Sequence, residues 1–70
     1  MSEKVVIALD AMGGDYAPEE TVKGAVEAVH DYPEIKVILV GKEELIKEQL
    51  SRYSYREDAI DIVNAPEVID

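Results

Sequence analysis

Seventy residues, 47% of them apolar and with 16 acidic against 7 basic side chains, give a net charge of −9 and room for a single small domain at most. A core of this size supplies only about 3–5 kcal/mol unaided, and natural chains this short usually add disulfides, a metal or a partner. The lack of cysteine and the lone histidine exclude disulfides, thiol catalysis, iron–sulfur clusters, cysteine-ligated zinc and a His-rich metal site. The acidity repels nucleic acid phosphates and anionic lipid headgroups, so no nucleic acid partner is expected. Val5 to Leu9 is the longest apolar run, far below the roughly 20 residues of a membrane span, and the chain is expected to be soluble and not exported.

Lys4 to Leu9 reads as a strand. Its β-branched Val5, Val6 and Ile7, followed by Ala8 and Leu9, leave no polar alternation, which is the mark of a parallel strand buried on both faces. The segment Asp10 to Pro18 is a loop by its glycine pair and proline, and Pro18 suits the first helical position, where its missing N–H costs nothing. Glu19 and Glu20 then favour the positive end of a helix dipole, and Val22, Ala25, Val26 and Val29 recur at i, i+3, i+4 and i+7. This amphipathic helix should stop near Tyr32, because Pro33 disfavours helical geometry in the residue before it.

A second doubly apolar strand follows over Ile35 to Val40, closed by Gly41. Lys42 to about Arg52 carries Leu45, Ile46, Gln49, Leu50 and then Tyr53 at helical spacing, with Glu43, Glu44, Lys47 and Glu48 on the wet side. Ser54 to Asp58 reads as a loop, with Tyr53-Ser54-Tyr55-Arg56 an ordinary solvated stretch. Ala59 to Val63 reads as a third short strand whose Asp61 marks an exposed or edge-facing side.

Strand, helix, strand, helix, strand is the order of a βαβαβ unit in a parallel α/β sheet. Right-handed crossovers place both helices on one face if the strands lie in sequential order, so something beyond these residues must cover the other. A mini-domain with one helix on each face is the alternative, and it needs a reversal of strand order.

Ligands of open α/β sheets collect beyond the carboxyl ends of the strands, where the Asp10 to Pro18 loop lies. Gly13 and Gly14 can take positive φ, and their N–H groups can cradle an anionic oxygen; a turn that needs glycine for its dihedral angles alone explains them equally well. The loop has neither G-x-G-x-x-G nor the P-loop lysine. Asp10 and Asp15 suit turn-ordering bonds to backbone N–H groups, with a Mg²⁺-binding carboxylate pair as the alternative. Gly24, with Ala25 and Ala28, forms a small-residue surface suited to close helix packing. His30 lacks a catalytic partner and suits the helix C-terminus.

Asp10-Ala11-Met12-Gly13-Gly14-Asp15, entered from a strand and followed by Ala17-Pro18, resembles the N-terminus of the bacterial phosphate acyltransferase family. Val40-Gly41 before Glu43-Glu44, and Glu67-Val68-Ile69 after the third strand, resemble that family's next two βα segments; Tyr16 and Asn64 depart from the residues common there. The resemblance implies transfer of a fatty acyl group from acyl-carrier protein to inorganic phosphate, giving acyl phosphate for phospholipid synthesis in the cytoplasm. It implies a Rossmann-like α/β/α fold akin to isocitrate and isopropylmalate dehydrogenases, usually a homodimer, with residues 1–70 as the N-terminal portion of a single larger domain. Peripheral membrane association would rest on residues outside this chain. Asp10, Met12, Gly13, Gly14 and Asp15 become the substrate-binding loop, with no cofactor, no metal, and cations carried by residues elsewhere. No catalytic acid or base can be named within these 70 residues, which alone should be inactive. The alternative is a non-catalytic α/β fragment, or an anion- or nucleotide-binding module, acting through assembly with other chains.

Overall fold

A computed structural model describes residues 5–65. Strands β1 (Val5–Asp10), β2 (Ile35–Gly41) and β3 (Ile60–Asn64) alternate with helices α1 (Glu19–Asp31) and α2 (Glu43–Leu50), and a single 3₁₀ turn over Glu57–Ala59 leads into β3. The sheet is parallel throughout, in the order β1-β2-β3, so the strand-order reversal does not occur. Val5 to Asp10 pair in register with Ile35 to Val40, and Val37 to Gly41 with Ile60 to Asn64.

Both helices lie against β2 and β3 and touch each other, as two right-handed crossovers require of sequential strands. The face beneath them carries Val37, Leu39 and Gly41 of β2, all buried, while Lys36, Ile38 and Val40 between them are only half-buried. Into that face α1 sends the predicted stripe Val22, Ala25, Val26 and Val29, and α2 sends Ile46 and Leu50. Leu39, Ile46, Val22 and Val37 are the largest fully buried side chains.

Among the described residues no helix covers the opposite face. By register it presents Val6 and Ala8 of β1, Ile38 and Val40 of β2, and Val63 of β3, with Val6 56% and Val63 50% exposed. A salt bridge from Lys36 Nζ to Asp61 Oδ2, 3.0 Å long, lies on the same side. The expected burial of β1 on both faces is not met among the described residues: Val5 and Ile7, on the helix side, are also exposed, because the helices sit over β2 and β3.

Boundaries move slightly from the sequence expectation. Pro18 occupies the N-cap position rather than the first helical one, and α1 stops at Asp31, with the Tyr32 N–H donating to the Ala28 carbonyl ahead of Pro33. The second helix is shorter than expected, and Tyr53 packs on the core from the turn after it. Ala59 joins the 3₁₀ turn, so β3 runs one residue later. Lys4, Pro66 and the Glu67-Val68-Ile69 match lie outside the described residues.

Gly24 corrects the small-residue reading. It is exposed, and a Cβ built on it would meet nothing within 4 Å, so no close packing among the described residues explains it. The Tyr53 to Arg56 stretch is also corrected: Tyr53 and Tyr55 pack against the core, and the loop is tied on both sides. His30 Nε2 donates to the Ser54 carbonyl at 2.9 Å, and an Arg56 guanidinium N–H donates to the Pro33 carbonyl at 2.9 Å. The expected role of His30 at the end of α1 thus takes the form of a tether.

Candidate functional site at the carboxyl edge of the sheet

Asp10, Val40 and Val63 stand level at the carboxyl ends of the three strands, and the Asp10 to Asp15 loop leaves from the first of them. Ala11 continues the ladder for one residue: its N–H donates to the Val40 carbonyl at 2.8 Å and its side chain is wholly buried. The chain then turns on Asp10, whose Oδ1 accepts the Met12 N–H at 2.9 Å. Its carbonyl accepts the Gly13 N–H at 3.4 Å. Asp10 therefore orders the turn, the role short acidic side chains commonly take in loops. Its carboxylate lies so close to Gly13 that a Cβ there would sit 3.2 Å from Oδ2.

Gly14 differs from Gly13 in kind. Its φ is +93°, a conformation that L side chains rarely adopt, and a Cβ on it would meet nothing within 4 Å. Gly14 is thus exposed, with open space on its Cβ side, at the sheet's carboxyl edge. Asp15 and Tyr16 follow it, both exposed, with Tyr16 75% so, and the Tyr16 carbonyl accepts the Glu20 N–H to start α1. The five residues singled out from sequence are brought into one turn, of which Gly13, Gly14 and Asp15 face solvent and Met12 is half-buried. Among the described residues no group of three or more acidic or histidine side chains converges to hold a metal ion, and the Asp10 carboxylate is already engaged.

A hollow of about 350 Å³ opens on the same edge, between the start of α2 and the end of β3, lined by Lys42, Glu43, Glu44, Leu45 and Asn64. None of the five predicted residues lines it. Asn64 Oδ1 accepts the Glu43 N–H at 3.3 Å, so the end of β3 caps the first turn of α2. Glu43 also pairs with Lys47 at 2.8 Å, one helical turn on, and this hydrogen bond first and the carboxylate charge second hold the Lys47 amine above its usual 10.5. Lys42 was overlooked in the sequence, where the cations of the site were expected from elsewhere. Its position directly after a strand end was the signal that could have found it, since the carboxyl-edge rule applies to β2 as well as to β1.

Comparison with known sequences adds what geometry cannot. Residues 5–70 match the family described as fatty acid synthesis protein. The chain belongs to that family. It is 64% identical over 64 residues to the phosphate acyltransferase of Dictyoglomus turgidum, covering 91% of this chain and 19% of that protein. The phosphate acyltransferase of Fusobacterium nucleatum is 59% identical over 63 residues, covering 90% of this chain and 19% of its own length. That of Clostridium botulinum strain Loch Maree is 49% identical over 65 residues, covering 93% and 19%. The chain therefore spans about a fifth of the length of the curated relatives it matches. In this member of the fatty acid synthesis protein family, no helix among the described residues is long and apolar enough to cross a membrane.

Proposed function

We propose that these residues are the N-terminal βαβαβ portion of a larger α/β/α domain that transfers a fatty acyl group from acyl-carrier protein to inorganic phosphate, and that the Asp10 to Asp15 loop belongs to its substrate site. The observation that carries the reading is Gly14: an exposed, positive-φ glycine with open space on its Cβ side at the carboxyl edge, in a chain 49–64% identical to proteins named phosphate acyltransferase.

In the proposed reaction a phosphate oxygen attacks the thioester carbonyl carbon, and the carbonyl π pair moves onto oxygen. Collapse of that oxyanion expels the carrier thiolate, which takes up a proton from solvent, and leaves acyl phosphate. Such a reaction depends on holding two reactants in line and on N–H donors or cations aimed at the developing oxyanion. The glycine turn offers the Gly14 N–H, with Met12 and Gly13 already donating to Asp10, and Lys42 offers one cation at the same edge; the remaining positive charge would come from outside these residues. Acyl-carrier protein and phosphate are then substrates, the assembly a cytoplasmic homodimer feeding phospholipid synthesis, and any membrane contact the work of residues elsewhere. No cofactor enters the reaction.

The sheet face that no described helix covers favours a second reading, in which the segment serves assembly and carries no part of the site. Incubating the full-length protein with acyl-carrier protein thioester, titrating phosphate and trapping acyl phosphate with hydroxylamine tests the first. Product should form in step with thioester loss and saturate with phosphate. Thioester that is stable, or is hydrolysed to free acid independently of phosphate, would overturn it.

A further inference from the structure

The end of β2 and the glycine loop meet at a single crowded contact. A Cβ built on Gly41 would lie 2.6 Å from Met12 Cγ, 3.1 Å from Met12 Sδ and 3.3 Å from Ile46 Cδ1. Real Cβ atoms essentially never approach within 3.0 Å, so any side chain at 41 must displace Met12. Among the described glycines only Gly14 has a positive φ, so Gly41 is required by space and not by its dihedral angles. Gly41 itself cannot yield easily: it is buried at the last position of β2, and its carbonyl accepts the Ala65 N–H at 2.7 Å.

The loop is held from below at three successive points. The Ala11 N–H is on the Val40 carbonyl, the Met12 N–H is on Asp10 Oδ1, and the Met12 side chain rests on the bare Cα of Gly41. The next two residues are Gly13 and Gly14, which have no side chains of their own to fix them. The Gly13 N–H is turned back onto the Asp10 carbonyl, so Met12, two residues ahead of Gly14, helps to fix where the Gly14 N–H is presented.

We propose that the Gly41–Met12 contact is the lock that sets the glycine loop, which makes Gly41 a positioning residue for acyl transfer although it touches no substrate; this rests on the reading of the loop as part of the substrate site. Methionine is unbranched and flexible, so Gly41→Ala is accommodated by moving Met12 rather than by unfolding the sheet. The stability loss should be small and the loss of loop geometry larger. A displacement of about 1 Å in a positioning group can cost on the order of a hundredfold in rate, and a partial shift relayed through Met12 should cost on the order of tenfold.

The test uses the full-length protein with Gly41→Ala, Met12→Ala and the double substitution, each read by kcat and KM for inorganic phosphate and by hydrogen exchange of the Met12 to Gly14 amides. Each single substitution should speed loop exchange and raise KM for phosphate more than it lowers kcat. The double substitution should match either single one, because both remove the same contact. Met12→Ala opens space instead of filling it and carries the test if Gly41→Ala does not fold. Unchanged loop exchange in both single variants, or fully multiplicative effects in the double, would overturn the lock. Faster exchange with unchanged phosphate kinetics would leave the lock standing and remove the loop from the substrate site.

Discussion

The two ends of this sheet use their polar groups in opposite ways. At the amino end a hollow of about 220 Å³ is lined by Val29, His30, Pro33, Tyr55 and Arg56. Its two basic side chains each donate to a backbone carbonyl, His30 to Ser54 and Arg56 to Pro33, and so tie α1 and the strand entries together. At the carboxyl end the side chains hold the turn, with Asp10 on the Met12 N–H and Asn64 on the Glu43 N–H, and the glycine backbone is left facing solvent. Toward an outside anion the carboxyl end offers the Gly14 N–H, because Gly13 already donates to the Asp10 carbonyl, together with the Lys42 cation.

The comparison breaks most completely in the 70 residues taken by themselves. The isolated 70 residues should show no phosphate-dependent thioester consumption, because one edge of a three-stranded sheet cannot enclose an acyl thioester and phosphate together. They should also self-associate or lose fixed packing, since Val6, Ile38, Val40 and Val63 share an uncovered face and Val5 and Ile7 are exposed as well. Turnover above background, or a concentration-independent monomer with cooperative unfolding by sedimentation and calorimetry, would contradict this.

A smaller effect separates the two ends directly. Arg56→Ala in the full-length protein should cost about 1 kcal/mol for a lost hydrogen bond at an exposed site, and the response of the transfer rate to phosphate should stay as in the parent. Thermal melts and a phosphate titration read both quantities. A changed phosphate KM would mean that the amino end takes part in substrate binding after all.

The smallest effect has the opposite sign. Gly24 is an exposed helical glycine with open space at its Cβ, so Gly24→Ala should stabilise by up to about 1 kcal/mol and leave the kinetics alone. A loss of stability in the full-length protein would show that some part beyond this chain packs closely on Gly24.

The strands and helices were legible in the sequence because hydrophobic period and turn residues agreed. Val22, Ala25, Val26 and Val29 form the buried stripe of α1, and the doubly apolar β2 lies in the middle of the sheet. The face without helices was legible too, from handedness and a count of helices. Individual glycines were not. Gly14 is required by φ, Gly41 by the Met12 side chain above it, and Gly24 by neither, and only coordinates separate these three cases. Tertiary tethers were hidden for the same reason: His30 and Ser54 are 24 residues apart, and no local pattern records their contact. Lys42 was hidden differently: it follows β2 directly, between Gly41 and the acidic Glu43-Glu44, and no motif marks it as a strand-end cation.

The central claim is that the glycine turn at the carboxyl edge belongs to the substrate site, and Gly14→Val in the full-length protein tests it most directly. Valine at φ +93° is strained, so some stability will be lost, and the rate must be expressed per folded molecule. Measured against phosphate concentration, with Gly24→Ala beside it, the Gly14→Val rate should fall by about tenfold or more with a weakened phosphate response. A folded Gly14→Val protein with the parent's rate and phosphate dependence would contradict the account.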